Sequence, residues 1–115
     1  IADNVPALIA YVDADRRYRF VNQRYAGFFN RACDELVGLP MHEVLGAEHY
    51  AAIAPKLDDV LRGETVEFDL DVVRDGELRH MHAAYLPDWA AGADPSRDPP
   101  VGFHLMVHDV TAQAR

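Results

Sequence analysis

A single cysteine, Cys33, is present, so no disulfide can form within the chain, which suits a reducing compartment. Asp34 and Glu35 follow it directly, and neighbouring carboxylates raise a thiol pKa, which argues against a reactive thiolate. No apolar run approaches the ~20 residues that a membrane-spanning helix needs, and no basic start leads into an apolar stretch as in a secretory signal. The domain is therefore expected in the cytoplasm, without direct membrane contact. Positive charge is also scarce, since eleven Lys and Arg stand against nineteen Asp and Glu, a formal net charge of -8. Such a surface repels a phosphate backbone, and the basic residues are scattered, which argues against nucleic-acid binding. Catalytic motifs are missing too. The stretch "HEVLGAEH" lacks the i, i+4 histidine pair of a zinc hydrolase, and no glycine-rich loop is built to cradle phosphate.

What is present is a chain of 115 residues, 50% hydrophobic and 26% charged, the balance of one ordinary domain. A domain of this size buries roughly two thirds of its unfolded surface, enough for one core and one modest cavity. It starts at Ile1 rather than Met and ends at Arg115 in a helical-looking tail, so it is expected to be a piece of a longer chain, whose parent a membrane segment elsewhere can anchor.

"ALIAYVD" is apolar at both parities, the pattern of a strand covered on both faces and interior to its sheet. Asp13 to Arg16 is a polar turn, and "RRYRFVN" then alternates Arg17 and Arg19 with Tyr18 and Phe20, as a strand at a sheet edge does. The two form a hairpin. Asn22 can cap a helix starting at Gln23, in which Tyr25, Phe28 and Phe29 share a face and Asn30 is the left-handed terminator. Short helical turns in "CDELVG" and "MHEVLG" close on Gly38 and Gly46. "AEHYAAIAPKLDDVLRG" is the one long helix, stopped by Gly63, with Pro55 expected to kink or split it. From Thr65 the period becomes two, and "TVEFDLDVV", the turn "RDG" and "LRHMHAAYLP" make a second hairpin. A long loop from Asp88 to Pro100 leads to the last strand, "VGFHLMVHDV". Two strands, several helices and three strands make an α+β domain of five antiparallel strands with the helices grouped on one face.

"IAYVDADRRYRFVN", "ELVG" at Glu35 to Gly38, "RGETVEFD" at Arg62 to Asp69, "RDGELR" at Arg74 to Arg79 and "VGFHLMVHDVT" at Val101 to Thr111 occur in that order over nearly the whole chain. Together they resemble a PAS sensory domain, of the subtype found in bacterial histidine kinases and diguanylate cyclases. The resemblance implies a five-stranded antiparallel sheet in the order B-A-I-H-G, cupping a small-molecule pocket beneath short helices, with no catalytic activity of its own. It implies one sensory domain over residues 1–111, and at 112–115 the start of a linker to a C-terminal output domain. Asp109 and Thr111 match the family's Asp-x-Thr and are expected to relay the signal. A homodimer is also implied.

The cofactor is left unknown. The flavin-binding branch carries an Asn-Cys-Arg-Phe-like motif, whereas Cys33 here lies between Ala32 and Asp34 and before the Glu35 to Gly38 motif, which argues against flavin. The haem-binding branch places its proximal histidine near what is Ala52 in this chain, and His49 lies about one turn upstream. A displacement of ~5 Å along a helix argues against haem and leaves His49 expected to face solvent.

The parity of the sheet sets Phe68, Leu70, Met81, Ala83, Tyr85, Phe103, Leu105 and Val107 toward the helices, with Tyr25, Phe28 and Tyr50 opposite them. These side chains either fill the core or line a mostly apolar ligand site made specific by its tyrosine hydroxyls. The opposite parity carries His80, His82, His104 and His108 with Met106. If Pro87 lies near Val101, His80 falls opposite His108 and His82 opposite Met106, with His80, His82 and His108 within reach of one another. They are candidates for a metal site or for packing that changes near pH 6; otherwise this face merely tolerates half-polar side chains. The alternatives to a sensory module are a haem- or metal-binding sensor, a pure interaction domain with a filled core, and a small cone-fold isomerase-like enzyme. The last is disfavoured because every strand Asp lies at the exposed parity or in a turn, where a raised pKa is not expected.

Overall fold

A computed structural model describes residues 7–111, and the expected linker start at 112–115 lies outside the described residues. The elements run β1 (Ala7–Asp13), β2 (Tyr18–Val21), α1 (Gln23–Phe28), α2 (Cys33–Leu36), α3 (Met41–Leu45), α4 (Ala47–Leu61), β3 (Val66–Arg74), β4 (Glu77–Asp88) and β5 (Gly102–Asp109). All pairings are antiparallel, and the strand order β2-β1-β5-β4-β3 is the α+β arrangement expected from the resemblance. Among the described residues no helix is long and apolar enough to cross a membrane.

The joins follow from local chemistry. Asn22 caps α1 by accepting the amide hydrogen of Tyr25 at 2.9 Å, and Asn30 ends the helical segment in the left-handed region at φ 57°. The β3–β4 turn is Asp75-Gly76, both at positive φ, the two-residue turn whose twist matches a hairpin. Helix α2 has only half of a capping box, because Glu35 accepts from the Ala32 amide but Ala32 has no side-chain oxygen to return the bond.

Two local readings are corrected. Phe20 does not share the inner face with Tyr18. The β1–β2 register slips at Tyr11/Val12, so Tyr18 opposes Val12, fully buried, while Phe20 opposes Tyr11 and is 49% exposed. A bulge of this kind breaks a strict two-residue alternation. Pro55 does not split the long helix, which runs unbroken from Ala47 to Leu61. Its missing N–H would have bonded the carbonyl of Ala51, and both residues lie on the exposed face, where water can satisfy that carbonyl.

The core lies between the inner face of the sheet and the helices. Tyr18, Phe103, Leu36, Met41, Leu57, Val12 and Val60 are its largest fully buried side chains. Two arginines clamp the helices over it. Arg16 donates to the Tyr50 hydroxyl at 3.1 Å and pairs with Asp58, tying the first hairpin to α4. Arg74 donates to the carbonyls of Gly27 and Phe28 and lies 4.3 Å from the Phe28 ring centroid, tying β3 to the end of α1.

Candidate functional site

Between helices and sheet lies a cavity of about 50 Å³, room for roughly one or two water molecules. Eight of the residues expected there line it. Tyr25 and Phe28 come from α1, Leu70 from β3, Met81, Ala83 and Tyr85 from β4, and Leu105 and Val107 from β5. Three lie elsewhere. Tyr50 turns outward to accept from Arg16 and meets the His42 ring at 5.8 Å. Phe68 and Phe103 stand behind Tyr85, each with its ring centroid 5.2 Å away, and buttress that ring instead of meeting the cavity.

The sequence reading missed Leu8, Phe29, Met41, Leu45, His49, Ile53 and Val72 as cavity walls. Val72 shares the parity of Phe68 and Leu70, and Met41 with Leu45 recurs at i, i+4, so these were discoverable, whereas Leu8 belongs to a strand apolar at both parities. His49 is corrected outright. It is half-buried against the cavity rather than solvent-facing, four residues before the buried Ile53 on one face of α4. Burial lowers its pKa below 6.5 and keeps the ring neutral.

Tyr18 and Tyr25 share a hydrogen bond between their hydroxyls within the core. Burial raises both tyrosines, and Tyr85 with them, above the ordinary phenol value, so all three hold their protons. The wall of this cavity is thus apolar with a few neutral hydrogen-bonding groups, suited to binding and without an ionised base or nucleophile.

Where β5 leaves the sheet, Asp109 and Thr111 form a closed network. One carboxylate oxygen of Asp109 accepts from Arg79 Nε at 2.7 Å; the other accepts from the Thr111 amide at 2.9 Å and its hydroxyl at 2.6 Å. Thr111 Oγ1 in turn accepts from the His80 amide at 2.9 Å, and the Val110 amide donates to the His80 carbonyl at 2.8 Å. Burial alone would raise the Asp109 pKa, but the Thr111 and Arg79 hydrogen bonds outweigh it and hold the carboxyl below its ordinary value. Beside this network an open groove of about 780 Å³ runs between Arg24 of α1 and the Arg74 to Arg79 hairpin.

On the outer face the histidine register is corrected by two residues. His82, not His80, lies opposite His108, and Ala84 is opposite Met106. The strands pair as far as Asp88 with Gly102, where the Val101 amide closes on the Asp88 carbonyl at 2.8 Å. The imidazoles turn toward the acidic row of β3. His80 Nδ1 lies 2.7 Å from Asp71, and His82 Nδ1 lies 2.8 Å from Asp69 with its Nε2 3.5 Å from Glu67. The bond to Asp69, then that to Glu67, raises the His82 pKa. His104 packs edge-on to Tyr11. Among the described residues no three His, Cys, Asp or Glu side chains are grouped so as to hold a metal ion.

This geometry has known counterparts. A domain of an HTR-like protein from Haloarcula marismortui is 24% identical, with 93% of this chain and 100% of that one covered at a TM-score of 0.65. The PAS domain of Bordetella pertussis BvgS is 22% identical, over 96% of this chain and 80% of that one, at 0.68. A sensory box sensor histidine kinase from Vibrio cholerae is 17% identical, over 95% and 85%, at 0.72. Among curated proteins none matches the chain. The family model described as PAS fold matches residues 2–115, and with that sheet order and cavity the chain belongs to the PAS family, whose members typically serve as sensory modules in signalling proteins.

Proposed function

We propose that this chain is a non-catalytic sensory domain that holds a small molecule in the cavity between helices and sheet. The occupied state is relayed through Asp109 and Thr111 to an output domain C-terminal to it. In this reading residues 1–111 are the sensory domain and 112–115 begin the linker. The parent is a cytoplasmic or membrane-anchored bacterial histidine kinase or diguanylate cyclase, and the domain works as a homodimer.

One observation carries the reading: Met81, a wall of the cavity, is the direct cross-strand partner of Asp109, the centre of the exit network. A ligand that displaces Met81 therefore acts on the rung from which the chain leaves the sheet. Its effect on output equals its differential affinity for two geometries of that rung, so a population shift suffices. The likeness to a sensor histidine kinase supports the choice of parent.

Native mass spectrometry of the purified chain, with an ultraviolet and visible spectrum alongside, tests the reading. A retained small molecule is the expected result. A clean unliganded mass from protein prepared in cell extract, unchanged on adding that extract back, would refute it.

A further inference from the structure

Of the side chains around the cavity, only Tyr25, Tyr85 and His49 carry a hydrogen-bonding nitrogen or oxygen, and no Lys, Arg, Asp or Glu is among them. The Tyr25 hydroxyl is already taken by Tyr18. The Tyr85 ring is fixed between Phe68 and Phe103, and its residue is 3% exposed, yet its hydroxyl has no hydrogen-bond partner among the described residues. Among those residues no side-chain nitrogen or oxygen is both sealed from solvent-sized space and unpartnered. The hydroxyl therefore borders open space, and the space that Tyr85 borders is the cavity. A polar group held in so apolar a place disfavours the folded state unless something in the cavity meets it. His49 adds a ring kept neutral by burial. An ionised ligand would meet no countercharge here, and its desolvation would go uncompensated.

We propose that the cavity selects a small, uncharged molecule that is apolar except along one hydrogen-bonding edge, which the Tyr85 hydroxyl meets. The assignment rests on the sensory reading above. At about 50 Å³ the space admits only a few non-hydrogen atoms before the half-buried Phe28, Leu45 or His49 must move, which sets the size class.

Methyl NMR on the 115-residue chain tests this with three probes: dissolved xenon, pyrazole, and propionate, which matches pyrazole in heavy atoms but is anionic. Xenon and pyrazole are expected to shift the methyl resonances of Met81, Ala83 and Leu105, pyrazole saturably, while propionate leaves them in place. Tyr85→Phe preserves the ring and should weaken pyrazole roughly tenfold while leaving the xenon response intact, which also reports that the cavity is still formed. Propionate binding as well as pyrazole, or Tyr85→Phe binding pyrazole unchanged, overturns the assignment. A response to xenon alone also overturns it, while leaving the cavity as a ligand site. No response to either xenon or pyrazole removes the sensory reading itself, and the assignment with it.

Discussion

Asn22 and Ile9 are bonded to each other twice. The Asn22 amide donates to the Ile9 carbonyl at 2.9 Å, and the Ile9 amide donates to the Asn22 side-chain oxygen at 3.2 Å. The same oxygen caps α1 through Tyr25, and the side-chain nitrogen donates to the Ala7 carbonyl at 3.0 Å. One 3%-exposed residue thus holds the second strand, the first strand and the first helix together.

Asn22→Ala should therefore lower stability by about 2–4 kcal/mol, since it removes a cap and leaves buried backbone groups unpaired. Asn22→Asp keeps the acceptor but turns an oxygen toward the Ala7 carbonyl, and should recover little of the loss. Urea midpoints of the two variants check this. Full recovery in the Asp variant would show that the bond to Ala7 is dispensable.

Gly102→Ala is expected to be among the most damaging single-methyl changes in the chain. The added carbon would lie 2.5 Å from the Val12 carbonyl oxygen and 2.6 Å from the Tyr11 hydroxyl, which is itself held at 2.7 Å by Asp88. Relief requires β1 and β5 to separate, and a loss of at least about 3 kcal/mol is expected by thermal or chemical unfolding. Adding Tyr11→Ala should rescue only part of it, because the contact with the Val12 backbone remains.

Asp109→Asn should cost about 1 kcal/mol at pH 7, a figure already reduced because the carboxylate is part-exposed. The folded pKa lies below the ordinary Asp value of 3.8, so the contribution is present above that unfolded value and is lost as the pH falls through the folded one. The stability gap between wild type and variant should therefore narrow as the pH falls below 3.8. In the parent protein Asp109→Ala should leave ligand binding intact while output stops responding; a parent that signals normally would sink the relay.

His49 and His82 should titrate on opposite sides of 6.5 when followed by NMR of their ring protons. Burial lowers His49, so the unfolded chain takes up its proton first, and stability falls as the pH drops below 6.5 toward the folded value. For His82, raised by Asp69 and then Glu67, the stabilisation is complete below 6.5 and is lost as the pH rises through the folded value. Asp69→Asn should return the His82 midpoint toward 6.5 and leave His49 unmoved. A His82 midpoint insensitive to Asp69 would contradict the pairing.

Most of the architecture was legible in residue order because its causes are local. The two-residue alternation of Val66 to Val72 reports one buried sheet face, and Asn22, Asn30 and Asp75-Gly76 supply the capping and turn geometry that their positions need. Six of the eight cavity residues were readable for the same reason, as strand parity points them inward, and Tyr25 and Phe28 through the face they share on α1. Phe20 was not, because a bulge resets parity without leaving a mark in the residue types.

By itself, the sequence determined the α+β class, the element order and the inward-facing side of the strands, all set by local pattern and residue chemistry. Tertiary structure alone decided the pairing of His82 with His108, the place of His49 and the size of the cavity. A register shift of two residues keeps every side chain on its own face, so the pattern is blind to it. The register was settled instead where the Val101 amide meets the Asp88 carbonyl at the end of a loop whose length does not specify it. The cavity depends on how far the Arg16 and Arg74 clamps hold the helices above the sheet, a distance that arises only between segments remote in the chain.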